Sequence, residues 1–114
     1  MEKIVEQSLL YDFYGDLLTE HQKDIYEGYV LENLSLAELA ESSGISRQGV
    51  HDAVTRALRK LERYEARLGL MKDSARRAEE LSRCLALARA CRGDERRDAL
   101  IAALERMIHE EEQP

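Results

Sequence analysis

Residues 35–61 read SLAELAESSGISRQGVHDAVTRALRKL, and this stretch decides the fold. Ser35 with Glu38 three positions later has the form of a capping box, in which the two side chains satisfy backbone N–H groups left unpaired at a helix start. Leu36, Leu39 and Ala40 then give a short helix that stops at Gly44, the residue best able to take a left-handed turn. Ser46 caps the next helix, whose inward face is Val50, Val54, Ala57, Leu58 and Leu61. A supporting helix, a glycine turn and a second helix with an outward polar row are the parts of a helix-turn-helix. Ala40 stands where close helix contact needs a small side chain, and Ile45 is expected to plug the core. With Val50 and Val54 inward, Arg47, Gln48, His51, Asp52, Thr55, Arg56 and Arg59 point outward.

The flanking sequence is helical too. Ile4, Leu9, Leu10, Phe13, Tyr14, Leu17 and Leu18 recur at three- and four-residue steps and predict a first helix over roughly residues 2 to 18. Thr19 with Gln22 is a second capping box, opening a helix that carries Ile25, Tyr26, Tyr29 and Val30 and runs out near Asn33. The helix capped by Ser46 can continue through Tyr64 and Leu68 to Gly69. Beyond it, Leu81, Leu85 and Ala88 form one stripe and Leu100, Leu104, Met107 and Ile108 another. Gly93 and Asp94 between them read as a helix stop followed by a new N-cap. With few β-branched residues, and the one proline at position 114, the expectation is an all-α chain. Residues 1–70 would form a four-helix helix-turn-helix domain without a wing, and 71–114 a C-terminal helical hairpin for packing or dimerisation.

The run LLTEHQKDIYEGYVLENLSLAELAESSGISRQGVHDAVTRALRKLE resembles region 4 of the bacterial sigma-70 family, which reads the −35 promoter element. The strings LYDFYGDLLTEHQ, YVLENLSLAELAE and ISRQGVHDAVTRALRKLERYEARLGL are more similar still to the YlxM family of small bacterial proteins. The aromatic pair Phe13 and Tyr14 ahead of LLTEHQ is a YlxM-like feature absent from sigma factors, and the resemblance covers about residues 5 to 70. It implies a regulatory or accessory role in the signal recognition particle pathway, with the particle's RNA or its GTPase proteins Ffh and FtsY as partners.

Charge distribution bears on that role. Residues 1–44 hold two lysines against ten acids, a net of −8. Residues 45–60 hold Arg47, Arg56, Arg59 and Lys60 against Asp52, a net of +3; residues 61–114 hold eleven basic residues against twelve acids. The positive charge is concentrated on one helix, the footprint expected where a chain meets phosphates. Duplex DNA affinity grows with the number of neutralised phosphates, so so few cations beside Asp52 predict weak, salt-sensitive DNA binding by a monomer. Structured RNA, read through shape and backbone, suits the row Arg56, Arg59, Arg63 and Arg67 better. The plainer reading pairs these arginines with Glu62 and Glu65 on a solvated face.

The candidate nucleic-acid residues are therefore Arg47, Gln48, His51, Thr55, Arg56, Arg59 and Lys60. A transcriptional regulator reading DNA with Arg47, Gln48, His51 and Arg56 is the alternative. A protein-binding adaptor presenting Glu20, Asp24 and Glu27 to a basic partner is a third reading. Tyr11, Phe13, Tyr14, Tyr26 and Tyr29 fit core positions with hydroxyls reaching the surface. Cys84 and Cys91, seven apart on one helix, are too distant for a disulfide and read as small buried hydrophobes. No metal-ligand spacing, phosphate loop or nucleophile motif is present, so neither an enzyme nor a cofactor is expected. No apolar run is long enough to span a bilayer, and the start lacks a signal peptide's apolar stretch, so a soluble, cytoplasmic protein is expected.

Overall fold

Capping chemistry sets most of the helix limits in the computed structural model, which describes residues 3–112. The helices are α1 (Lys3–Tyr14), α2 (Glu20–Tyr26), α3 (Leu36–Ser43), α4 (Arg47–Leu68), α5 (Leu70–Ala90) and α6 (Glu95–Glu111). Both capping boxes form: Thr19 exchanges hydrogen bonds with Gln22, and Ser35 with Glu38. Gly44 takes the left-handed conformation, φ 74°, and its N–H closes α3 on the Ala40 carbonyl. The Ser46 hydroxyl accepts from the Gly49 N–H at 2.9 Å, and α4 stops at Gly69. Glu2, where the sequence starts the first helix, and Pro114 lie outside the described residues.

Two irregular turns depart from the expected pattern. The first helix becomes a 3-10 turn over Gly15–Leu17, closed by the Leu18 N–H on the Gly15 carbonyl at 3.0 Å. Leu18 remains buried, but the tighter winding turns Leu17 out to solvent. At the end of α2 the backbone widens into a π turn over Glu27–Leu31, with the Glu32 N–H on the Glu27 carbonyl at 3.0 Å. Asn33 ends it in a left-handed conformation, and Leu34 N–H returns to the Gly28 carbonyl at 2.9 Å. Gly28 and Val30 are thereby buried while Tyr29 and Leu31 face outward. Gly28 has to be small, since a Cβ there would lie 2.6 Å from Leu39 Cδ2.

The chain divides after Gly69 into two compact units. In the first, Ile25, Leu39, Val50 and Val54 form a core flanked by Leu34, Leu36, Ala40 and Ala53. Leu10, Tyr14, Leu18, Tyr26, Val30, Ala57 and Leu61 are buried as well. At roughly 1.5–3 kcal/mol per large apolar side chain, this burial is what holds the unit together. Ile45 is not part of that core. It is 36% exposed and lies over Gly49, because the left-handed turn at Gly44 leaves it at the tip of the loop ahead of the Ser46 cap.

Tyrosines tie the helices together, and the hydroxyls of the fully buried Tyr14 and Tyr26 do not reach the surface as expected. Tyr26 donates to the Gln7 carbonyl at 2.8 Å and stacks on Tyr11, ring centroids 5.3 Å apart. Tyr14 donates to Glu65 Oε1 at 2.6 Å, joining α1 to α4. Tyr11 donates to Glu27. Tyr29, also expected in the core, is turned out by the π turn.

The second unit is the hairpin α5–α6. Asp94 caps α6 by accepting from the Arg96 N–H at 2.9 Å. Arg97 reaches back to the Ala88 and Arg89 carbonyls at 3.1 and 2.7 Å, satisfying acceptors that the end of α5 leaves open. At the opposite end, Glu111 accepts from Ser74 Oγ and Arg77 Nε, each at 2.7 Å. The seam is narrower than the stripes suggested. Ala88 and Leu104 are buried and Leu81, Leu85, Ile101 and Ile108 half-buried, while Leu100 and Met107 fall on the flank of α6 and are about half exposed. Cys84 and Cys91 are exposed rather than buried, since two helices cover only one stripe of each other.

Candidate nucleic-acid interface

The outward side of α4 follows from its inward one. Val50, Val54, Ala57 and Leu61 are buried, so residues about half a turn away meet solvent. Arg47, Gln48, His51, Arg56 and Arg59 are exposed; Asp52, Thr55 and Lys60 are half-buried. Four of these are engaged locally. Gln48 Nε2 donates to Asp52 Oδ1 at 3.0 Å, His51 Nδ1 stands 3.8 Å from the same carboxylate, and the Thr55 hydroxyl donates to the His51 carbonyl at 2.9 Å. In the first two turns of α4, Asp52 therefore offsets Arg47 and occupies the polar groups best suited to a base edge.

The later turns are different. Arg56, Arg59, Arg63 and Arg67 follow one another at steps of three and four, with Lys60 next to Arg59, and the five share one face over about 16 Å. Among the described residues, none of the five has an ion-pair partner. The expected pairing with Glu62 and Glu65 does not form. Glu65 accepts from Tyr14, and Glu62 lies on the other flank, where its charge reaches buried Tyr26. Burial first, and then Glu62, push the Tyr26 phenol far above its ordinary range; burial and the bond to Glu27 do the same for Tyr11. Sequence spacing could not reveal that tyrosines on other helices engage these acids.

The acidic face of α2 is smaller than its sequence suggests. Glu20 and Asp24 are exposed, with Lys23 Nζ 3.7 Å from Glu20, whereas Glu27 is half-buried against Tyr11. Among the described residues no three His, Cys, Asp or Glu side chains gather as metal ligands, and no helix is long and apolar enough to cross a membrane.

The family model of UPF0122, described as "helix-turn-helix protein, YlxM / p13 like", matches residues 1–92. The chain belongs to this family. The YlxM-like match runs past the 5–70 covered by the sequence strings and takes in α5, leaving α6 outside. The UPF0122 protein YlxM of Bacillus subtilis is 39% identical over 107 residues, 94% of this chain and 97% of its own. UPF0122 protein STH1464 of Symbiobacterium thermophilum is 46% identical over 77 residues, 68% of this chain and 72% of its own. A further YlxM-like relative from Thermoanaerobacter sp. is 54% identical over 65 residues, 57% of this chain and 56% of its own.

Proposed function

We propose that this YlxM-like protein is a non-enzymatic accessory factor of the signal recognition particle pathway that binds the particle's RNA through α4. The observation that supports the reading is the run of five cations from Arg56 to Arg67, free of ion pairs among the described residues, on a helix of a helix-turn-helix family. Cations spaced along one helix face suit a phosphate backbone. They confer little base specificity, because the side chains best placed to read bases, Gln48 and Asp52, bond to each other. The link to the particle rests on the likeness of the strings in residues 5–70 to YlxM proteins, and the sigma-region-4-like architecture is part of the same proposal.

Salt titration of binding to the host's signal recognition RNA, alongside random duplex DNA of matched length, tests the reading. RNA binding that falls steeply with salt and exceeds DNA binding is expected, and Arg56→Glu with Arg59→Glu should weaken it at least tenfold. Preference for the duplex would favour a transcriptional regulator reading DNA with Arg47, Gln48, His51 and Arg56. Feeble binding to both would shift the search to protein partners such as Ffh or FtsY, with Glu20 and Asp24 the first acids to reverse.

A further inference from the structure

We infer that the α5–α6 hairpin is a dimerisation module, and that its open face is covered by the same face of a second copy of this chain. The two sides of the hairpin differ. One is closed by a polar contact, Arg89 to Glu105 at 3.7 Å. The other carries a groove of about 320 Å³ lined by Leu81, Cys84 and Met107 together with Arg77, Glu80, Glu110 and Glu111. Leu87, one turn beyond Cys84, and Leu100, two turns before Met107, extend the apolar surface toward the α5–α6 turn. Leu87 is 69% exposed, Leu100 51% and Met107 48%, a concentration of bare apolar side chains that a finished surface does not keep.

A second copy suits this face in size and charge. Helices of 21 and 17 residues are about 25–30 Å long, and two side by side present a footprint of roughly 500 Å² before side-chain relief is counted. That approaches the ~800 Å² per partner of a stable interface. Arg77 stands among Glu80, Glu110 and Glu111, so a two-fold arrangement can set Arg77 of each copy against Glu80 or Glu110 of the other. Two hairpins joined in this way form a four-helix bundle, which supplies the second layer that one hairpin lacks, and oligomerisation is a common remedy for a unit too small to build its own core.

Sedimentation equilibrium of the full chain across the micromolar range tests the inference. A species of twice 13.1 kDa is expected, and 13.1 kDa throughout would overturn it, whether the face is then covered by the rest of the chain or by another protein. Leu87→Glu with Leu100→Glu replaces side chains already more than half exposed in one copy, so helical circular dichroism should persist while dimerisation weakens at least tenfold. A dimer of undiminished affinity in that variant would also overturn it. Should the double variant lose helix, Met107→Arg carries the same expectation from the other side of the groove.

Discussion

The helix-turn-helix unit and the hairpin are built from the same material, helices with one apolar stripe, yet they reach different degrees of completion. Among the described residues, eleven apolar side chains are buried in the first and two in the second. Neither stripe length nor helix propensity accounts for this, since α5 is nearly as long as α4. The number of neighbours does. Helices α1, α2 and α3 all pack against α4, with the Glu27–Leu31 turn touching α1 and α3, whereas α5 and α6 share one seam, crossed on one flank by the Arg89–Glu105 pair and open on the other. A periodic stripe thus identifies which face seeks burial, and the topology decides how much of it is obtained.

Core truncation gives the largest test of this contrast. Leu61→Ala, at a site closed on all sides, should cost about 4 kcal/mol, and Leu104→Ala in the hairpin about 2. All five tyrosines lie before Gly69, so tyrosine fluorescence in a urea titration follows the first unit and circular dichroism follows both. Equal costs would break the comparison. Gly28→Ala, which drives a Cβ into Leu39, should cost about 2 kcal/mol by overpacking, visible as a lower urea midpoint. Gly44→Ala meets open space, so its cost should be only that of the left-handed backbone, about 1 kcal/mol.

Titration separates the two units by sign. Tyr11 and Tyr26 have phenol pKa values raised by folding, so their contribution is complete below the ordinary phenol value of about 10 and is lost as the pH rises beyond it. Alkaline unfolding should therefore appear first in tyrosine absorbance and fluorescence. Glu111 in the hairpin is shifted the opposite way, lowered by its bonds from Arg77 and then Ser74. Its contribution is present above the ordinary carboxylate range and is lost as the pH falls. With its partner Arg77 half exposed, this should be the smallest effect of the series, and Arg77→Ala should reduce that acid dependence, leaving the part due to Ser74, without changing the alkaline one.

Much of the fold was legible because helix ends carry local chemistry. Thr19 and Gln22, Ser35 and Glu38, Ser46 and Asp94 each satisfy backbone groups within a few residues, and Gly44 and Gly69 supply the left-handed stops. The two irregular turns were not legible, since the periodic apolar pattern runs through both without a break: Gly15 lies against the Tyr11 ring only four positions back, and Gly28 against Leu39 of α3. The candidate interface divided in the same way. Which side of α4 faces outward followed from Val50 and Val54, but the freedom of its arginines depended on Glu65 being engaged from α1, 51 positions earlier in the chain. The exposed cysteines and the flanking positions of Leu100 and Met107 reflect the breadth of a two-helix seam, which periodicity alone does not specify.

The π turn at Glu27–Leu31 also constrains chain length. It holds one residue more than a regular turn would, and that residue sets the rotational phase between Tyr26, anchored to α1, and Leu34, packed on the core around Leu39. Deleting any one of the five would restore ordinary winding but rotate one side by about 100° relative to the other, so either Tyr26 or Leu34 would leave its place. Insertions and deletions that surface loops absorb should thus be excluded from this short span, which acts as a spacer of fixed count between the first helices and the helix-turn-helix.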